Sequence, residues 1–237
     1  MKSYITSAQS PITDIQNLDE SISSASLVNI PLKIILLGDI SVGKTSIIRR
    51  FIEDDFINTY NCTMGVEFRL KSLILDEKHR LDLKIWDTCG EEKFRAITRQ
   101  YYRDVNGVLL VFDLTNSLSF DQLNSWLQDL ENCGEKDLSI IIIGNKCDLT
   151  IKREVDASKI KNFLKDKEDL LYSETSALTG EGIVDAFKTL CRKIMETNTI
   201  ESIDAHNESL KHSRYEEFHR QMKIYNDKKE KYKNECC

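Results

Sequence analysis

The chain has 237 residues, a formal net charge of -6 and seven cysteines. The negative charge excludes a protein whose whole surface binds nucleic acid, because phosphate contacts need clustered Lys and Arg. The cysteines have neither zinc-ligand nor disulfide-framework spacing, and no apolar run approaches the roughly 18 residues of a membrane helix. We therefore expect one soluble globular unit in a reducing, cytosolic compartment.

The amino-terminal residues differ in composition from the rest of the chain. Residues 1–30 are rich in serine and lack a sustained helical or strand period, so they are predicted to form a flexible arm. The next residues, Leu32–Leu37, form an apolar run closed by Gly38, which is typical of a buried parallel strand. A helix should begin near Gly43, with Ile47, Ile48 and Phe51 on its inner side.

Five further segments have the pattern of strands. The first two, Glu67–Leu75 and Arg80–Asp87, are separated by a short charged turn and predict a hairpin that supplies the antiparallel edge. Gly107–Asp113 and Leu138–Gly144 are continuous apolar runs and indicate central strands, while Leu171–Thr175 is a last short strand.

Amphipathic stretches alternate with these strands and predict helices at Ser119–Asn132, Asp156–Lys165 and Ile183–Met195. Ser117 or Ser119 is the expected cap of the first of them. The alternation predicts an α/β fold with a single doubly wound, mainly parallel six-stranded sheet and one antiparallel edge strand. In such a sheet, ligands bind at the carboxyl ends of the strands.

The segment Gly38–Thr45 fits the phosphate-binding pattern G-x-x-x-x-G-K-[ST]. Its glycines let the backbone N–H groups wrap closely around an anion before a helix begins. Lys44 supplies a positive charge for the outer phosphates, and the Thr45 hydroxyl suits Mg²⁺, which prefers oxygen ligands. The alternative is an ordinary glycine-containing turn with an exposed lysine.

Asp87 leaves the second hairpin strand within the run Trp86–Gly90. An acidic side chain beside a phosphate loop is well placed to hold a magnesium-bound water. Taken alone, however, an aspartate at a strand end is more often a turn residue.

The tetrapeptide Asn145–Asp148 comes after another apolar strand and predicts a guanine-reading loop. Guanine offers two donors on one edge, and the Asp148 carboxylate could accept both, whereas adenine presents an acceptor there. Lys146 would lay its stem against the base, and Asn145 would tie this loop to the phosphate loop. The Ala177 N–H, after the last strand, is the expected donor to the guanine carbonyl, although that segment also suits a helix cap.

These motifs together resemble a Rab-type small GTPase of the Ras superfamily, over roughly Leu32 to Met195. The resemblance is carried by GDISVGKTS, TMGVEF, WDTCGEEKFRAITRQYYR, NKCD and ETSA. It implies a P-loop NTPase with the small G-protein fold that hydrolyses GTP to GDP with Mg²⁺ as cofactor.

The resemblance also assigns residues to the expected site. The nucleotide would be held by Ser41, Val42, Gly43, Lys44, Thr45, Ser46, Thr63, Gly90, Asn145, Lys146, Asp148, Ser176, Ala177 and Leu178. The metal ligands would be Thr45, Thr63 and Asp87, and the catalytic groups Glu91, Gly90 and Lys44. Thr63 and Gly90 would contact the γ-phosphate, so that its loss releases both switch loops.

The same resemblance implies partners. Phe68, Trp86 and Tyr101 correspond to the aromatic cluster through which Rab proteins bind effectors, although aromatic side chains on a hairpin also pack against the sheet. A guanine exchange factor, a GTPase-activating protein, effectors of vesicle traffic and a prenyl-shielding carrier are expected. We expect no nucleic-acid partner and a monomeric core.

Two positions depart from the family pattern. Glu91 replaces the usual glutamine that orients the attacking water, and Cys89 replaces a neighbouring alanine. Ile40 adds branched bulk to the phosphate loop where the family has Gly or Ser. We expect slow hydrolysis; the alternative is a GTP-held scaffold with little or no hydrolysis. A small-molecule kinase is disfavoured because NKCD and ETSA specify guanine.

The predicted GTPase domain covers 31–197, and 198–237 forms a variable tail ending in Cys236 and Cys237. The tail balances its charges, so electrostatic attraction to anionic lipid should be small. With a Rab-like domain ahead of them, both cysteines are expected to carry prenyl lipids, which anchor the protein stably when paired. This places it on the cytoplasmic face of intracellular membranes, with a carrier-bound pool in the cytosol.

Overall fold

The computed structural model describes residues 27–57, 66–88, 101–132 and 138–197. The strands are β1 Val28–Leu37, β2 Val66–Ile74, β3 His79–Thr88, β4 Gly107–Asp113, β5 Ser139–Asn145 and β6 Leu171–Thr175. The helices are α1 Lys44–Glu53, α2 Ser117–Asp121, α3 Leu123–Asn132, α4 Ala157–Leu164 and α5 Ile183–Thr197, with a 3₁₀ turn at Thr150–Lys152. In these four ranges, no helix has the length and apolar character needed to cross a membrane.

All six strands form one sheet in the order β2-β3-β1-β4-β5-β6. β2 runs antiparallel to β3, with Phe68 opposite Trp86, and the other neighbouring pairs are parallel. The predicted sheet, including its antiparallel edge strand, is confirmed.

Strand β1 explains why both faces of the sheet are covered. Ile34 and Leu36 project into one apolar cluster, and Ile35 and Leu37 project into another. All four side chains are fully buried, because α1 and α5 pack on the first face and α3 and α4 pack on the second. The doubly wound arrangement therefore results from strands that are apolar on both faces.

The first cluster is closed by contacts of α5 with α1 and with β4. The rings of Phe51 and Phe187 stack with centroids 3.9 Å apart. A Cβ at Gly107 would lie 2.7 Å from the Ile194 side chain. The absence of a side chain at Gly107 thus lets α5 approach β4 closely.

The predicted boundary of the arm at residue 30 is wrong by three residues. Strand β1 already begins at Val28, whose N–H donates to the Lys78 carbonyl at 2.8 Å, and it pairs with β3 from His79 onward. Ile30 is fully buried. Pairing with a neighbouring strand orders this segment, although its own sequence is not uniformly apolar.

The predicted helix Ser119–Asn132 is also corrected. It is divided into α2 and α3 at Gln122, and its cap is Asn116 rather than Ser117 or Ser119. The Asn116 side chain accepts from the Leu118 N–H at 3.1 Å. Ser119 instead donates from its hydroxyl to the Asn116 carbonyl at 2.7 Å.

We predict that Phe187→Ala lowers the free energy of unfolding by about 3–5 kcal/mol, because it removes a fully buried ring and leaves a cavity. Chemical denaturation of the full chain measures the change. Ile151→Ala is the control, since Ile151 is 100% exposed, and it should change stability by less than about 0.5 kcal/mol. Similar effects of the two variants would contradict the described packing.

Candidate functional site

The carboxyl ends of the five parallel strands meet at one edge of the sheet. Register pairs Leu36 with Asp87, Asp113 with Asn145, and Asn145 with Thr175. The loop after β1 therefore lies beside acidic and amide side chains from β3, β4 and β5. Sequence positions more than a hundred residues apart are brought into one site.

The loop after β1 is packed too closely for side chains at two of its glycines. Gly38 has φ 134°, and a Cβ there would lie 2.0 Å from the Val111 carbonyl oxygen. Gly43 has φ 100°, and a Cβ there would lie 2.3 Å from Nδ2 of Asn145. Both positions require glycine, for conformation and for space.

Lys44 lies across this loop and is 6% exposed. Its Nζ donates to the carbonyl oxygens of Gly38 and Asp39, each at 2.8 Å. Helix α1 begins at Lys44, and its first turn contains no acidic side chain. The positive end of the helix and the ammonium group together make the loop attractive to an anion.

An indole from the other face of the sheet fixes the same loop. Nε1 of Trp126 donates to Oδ1 of Asp39 at 2.8 Å, and Trp126 is 1% exposed in α3. Sequence reasoning missed this contact, because a buried tryptophan on an amphipathic helix indicates packing and does not identify a polar partner.

Thr45 and Asp87 form the part of the site suited to a metal. The Thr45 hydroxyl donates to Oδ2 of Asp87 at 2.6 Å. Asp87 is 4% exposed, and its Oδ1 has no hydrogen-bond partner in the described part of the chain. Burial raises the pKa of Asp87 to about 6, although the Thr45 hydrogen bond and the charge of Lys44 act in the opposite direction.

These two residues fit Mg²⁺, because a hydroxyl and a buried carboxylate oxygen lacking a partner are the hard oxygen ligands that this ion prefers. A divalent cation there would compensate the desolvation of the carboxylate. The third expected ligand, Thr63, lies outside the described residues.

Asn145 joins three loops of the site and is 1% exposed. Its Nδ2 donates to the Val42 carbonyl at 2.9 Å. Its Oδ1 accepts from the Thr175 hydroxyl at 3.2 Å and from the Ala177 N–H at 3.3 Å. The expected tie between the two predicted binding loops is thus present and also includes the loop after β6.

Lys146 has a left-handed backbone with φ 67°, and its ammonium pairs with Oδ2 of Asp113 at 2.6 Å. Asp113 is buried at the end of β4, and its Oδ1 accepts from the Thr115 N–H and hydroxyl at 2.8 and 2.7 Å. The ion pair with Asp113 holds the Lys146 side chain in an extended conformation. Asp113 was not among the predicted site residues. An acidic residue at the carboxyl end of a predicted central strand was the available signal.

The loops after β5 and β6 meet at Asp148. The Ser176 hydroxyl donates to Oδ1 of Asp148 at 2.5 Å, which orients the carboxylate. The Ala177 N–H, expected to bind a base carbonyl, here donates to Asn145. The Leu178 N–H has no hydrogen-bond partner within the described ranges. It is therefore an available donor in the same loop as Ser176, whose hydroxyl contacts Asp148.

The three predicted effector residues form one contiguous cluster. The ring centroids of Phe68 and Trp86 are 5.5 Å apart, and those of Trp86 and Tyr101 are 5.4 Å apart. Phe68 is 38% exposed, while Trp86 and Tyr101 are half-buried. The cluster both packs on the sheet and presents an aromatic surface.

The remaining predicted positions fall into two groups. Ser41, Val42 and Ser46 lie in the loop and first turn, and Ser41 adopts a left-handed φ of 63°. Five positions lie outside the described residues: Thr63, Gly90, Glu91, Cys236 and Cys237.

Comparison with known proteins relates this site to a family. The model of the Ras family matches residues 33–196. The chain is 42% identical over 162 residues to the Ras-related protein Rab11A of Lotus japonicus, covering 68% of this chain and 71% of that protein. It is 41% identical over 163 residues to human Ras-related protein Rab-8B, covering 69% and 78%. It is also 41% identical over 162 residues to bovine Ras-related protein Rab-8A, covering 68% and 77%.

Asp87 gives a pH-dependent prediction for the metal-free protein. Its pKa rises from 3.8 to about 6 on folding, so its contribution to stability is complete below pH 3.8 and is lost as the pH rises through about 6. The side chain introduced by Asp87→Asn does not titrate, so the variant does not lose stability in this way as the pH rises. In EDTA, the free energy of unfolding of the variant relative to the natural chain should therefore rise between pH 4 and pH 7, by at most about 3 kcal/mol.

Denaturation at several pH values measures this difference. Asp169→Asn serves as the control for removing an aspartate, since Asp169 is exposed, and it should change the free energy of unfolding by less than about 0.5 kcal/mol. A pH-independent difference for Asp87→Asn would contradict the raised pKa.

Proposed function

Since this chain belongs to the Ras family and is a Rab-type small GTPase, we propose that it is a GTP/GDP switch that binds GTP with Mg²⁺ and hydrolyses it slowly. In the GTP-bound state it recruits effectors in vesicle-mediated membrane traffic. The proposed division of the chain is a GTPase domain over 31–197, with its first strand extended to Val28, and a tail over 198–237.

The observation that carries this proposal is the hydrogen bonding of Asn145. It links the loop that suits phosphates to the loop that suits guanine, at 2.9 Å on one side and 3.3 Å on the other. A ligand with an anionic end and a guanine end matches that pair of loops, and GTP is such a ligand.

Each residue has a specific role in this proposal. Lys44 and the loop N–H groups bind the outer phosphates, while Thr45, Thr63 and Asp87 hold Mg²⁺. The ion supplies positive charge that offsets the charge of the phosphate oxygens. Gly90 donates its N–H to the γ-phosphate, and Glu91 lies where the family has the water-orienting glutamine. Release of the γ-phosphate frees the segments that contain Thr63 and Gly90.

Base recognition is tested by Asp148→Asn. The asparagine amide can accept from N1–H but would oppose the 2-amino donor of guanine, whereas it can donate to the 2-carbonyl of xanthine. GDP affinity should fall by about a hundredfold or more, because two charge-assisted hydrogen bonds are lost, and xanthosine diphosphate should bind more tightly than GDP. Titration of the nucleotides measures both effects. Unchanged GDP binding would refute the assigned role of Asp148.

Hydrolysis is proposed to be slow for two reasons. The carboxylate of Glu91 cannot donate a hydrogen bond and adds negative charge near the γ-phosphate. Ile40 is 45% exposed in the phosphate loop, and its branched side chain would crowd the space that a partner's arginine needs. The alternative is a scaffold that holds GTP with little or no turnover, and Ile40 favours it because stimulated hydrolysis would also be hindered.

Glu91→Gln should raise the single-turnover rate of GTP hydrolysis by about tenfold or more, because a positioned group that orients the attacking water contributes on the order of a hundredfold. Glu131→Gln, an exposed substitution on α3, is the control and should leave the rate unchanged. Equal rates for Glu91→Gln and the natural chain would remove Glu91 as the cause. Absence of turnover in both would support the scaffold.

The partners are part of the same proposal. An exchange factor and a GTPase-activating protein set the nucleotide state, and effectors bind the cluster of Phe68, Trp86 and Tyr101, which spans β2, β3 and the region before β4. The core of the protein acts as a monomer.

Membrane attachment is proposed to use lipids on Cys236 and Cys237, with a carrier that shields them in the cytosol. Each buried CH₂ contributes about 0.8 kcal/mol, so two prenyl chains give stable anchoring without a basic patch. Mass spectrometry of the native protein should find two prenyl groups on its carboxyl-terminal peptide. Deletion of both residues should move a tagged copy into the cytosol, and a membrane-bound protein with two unmodified thiols would refute the proposal.

A further inference from the structure

Arg50, in the last turn of α1, contacts the loop after β6. Its Nε donates to the Ala177 carbonyl at 3.0 Å, and its Nη2 donates to the Leu178 carbonyl at 2.8 Å. The side chain is 17% exposed. Two consecutive carbonyl groups are therefore bound by the rigid fork of one guanidinium.

The guanidinium is also held at its other end. Nη1 donates to the carbonyl of Asp54 at 2.9 Å and to its Oδ1 at 3.1 Å. Asp54 ends α1 in a left-handed conformation with φ 50°, and its N–H donates to the Arg50 carbonyl at 3.1 Å. The Arg50 stem passes Gly180, where a Cβ would lie 3.6 Å from Cδ. The end of α1 thus fixes the position of the fork.

The geometry of the peptide bond determines the direction of the Leu178 N–H from these contacts. In a planar trans peptide, a carbonyl and the N–H of the next residue point in opposite directions. Because the Ala177 carbonyl points at Arg50, the Leu178 N–H points away from it. The Thr179 N–H behaves in the same way and donates to the Ser176 hydroxyl at 3.1 Å.

That hydroxyl also donates to Asp148 at 2.5 Å. The side of the loop opposite Arg50 is therefore the side on which the proposed guanine-reading carboxylate lies. The Leu178 N–H, which has no hydrogen-bond partner within the described ranges, is on that side.

We propose that Arg50 is a specificity-determining positioning residue that, by binding the Ala177 and Leu178 carbonyls, directs the Leu178 N–H toward the 6-carbonyl of a bound guanine. This inference rests on the proposed function, since it requires a guanine nucleotide in the site. The two ends of the guanine edge are then read separately: Asp148 accepts from N1–H and the 2-amino group, and the amide held by Arg50 donates to the 6-carbonyl.

Two nucleotide analogues separate these readings. In 6-thio-GDP a weak sulfur acceptor replaces the 6-carbonyl oxygen, while the donors that face Asp148 remain. In IDP the 2-amino group is missing, while the 6-carbonyl remains. The ratio of GDP to 6-thio-GDP affinity therefore reports on the Leu178 N–H, and the ratio of GDP to IDP affinity reports on Asp148.

The test compares the full natural chain with Arg50→Met at slightly acidic pH, where both bases keep the N1 proton. The natural chain should prefer GDP over 6-thio-GDP by roughly two- to tenfold, the size expected for one neutral hydrogen bond. In Arg50→Met this ratio should fall close to one, and the GDP to IDP ratio should stay as in the natural chain. Competition against a fluorescent GDP measures both ratios.

Arg49→Met is the matched control, since Arg49 is the preceding helix residue and pairs with Glu53 at 3.2 Å and Asp55 at 3.3 Å. It should leave both ratios unchanged. If Arg50→Met does not fold, Arg50→Lys replaces it; its single ammonium cannot reproduce the planar fork, so the GDP to 6-thio-GDP ratio should fall there as well.

An unchanged GDP to 6-thio-GDP ratio in a folded Arg50 variant would overturn the proposal. An equal decrease in the GDP to 6-thio-GDP ratio and in the GDP to IDP ratio would also overturn it. Such a result would indicate that the substitution disorders the whole base-binding loop. Failure of the proposed function itself has a different signature, in which the natural chain binds GDP no more tightly than ADP.

Discussion

The buried carboxamide of Asn145 is the interaction on which the arrangement of the site depends. An amide group has both donor and acceptor atoms, and those of Asn145 bind Val42 in the phosphate loop, Thr175 at the end of β6 and Ala177 in the loop after β6. Its Nδ2 also occupies the space in which a side chain at Gly43 would lie. The phosphate loop and the base loop consequently cannot shift independently, so a site made of separate strand ends behaves as one unit.

Around this joint, charged groups are held by partners that fix their direction. Lys146 is extended by Asp113, Asp148 is oriented by Ser176, and Asp39 is bound by the indole of Trp126. Such contacts reduce the entropy cost of ligand binding, because the side chains are already placed. Asp87 differs from these groups, because its buried Oδ1 lacks a hydrogen bond within the described residues. A buried carboxylate oxygen without a partner is expected at a cation-binding site.

The fold could be predicted from sequence where apolar runs and turn residues agreed. The β4 and β6 boundaries were predicted at the observed residues, and the phosphate-loop and guanine motifs located the loops that the sheet brings together. The errors fell where pairing or local capping decided the outcome, as at Val28 in β1 and Asn116 before α2. Asp113, Trp126 and Arg50 were missed because their roles depend on which atoms lie within about 3 Å after folding, the range of a hydrogen bond. Periodicity carries no such information.

The hairpin of β2 and β3 brings two distant segments of the chain to one place. Val66 begins β2 and Thr88 ends β3, and these two residues are paired across the ladder. Along the chain, Thr63 comes shortly before Val66 and Gly90 comes shortly after Thr88, so the two residues proposed to contact the γ-phosphate flank one paired position of the sheet in sequence. That point is secured to the central strand by the Thr88 hydroxyl, which donates to the Leu36 carbonyl at 2.6 Å. A partner that binds the Val66 and Thr88 end of this hairpin would therefore contact the chain where it leads to both residues at once.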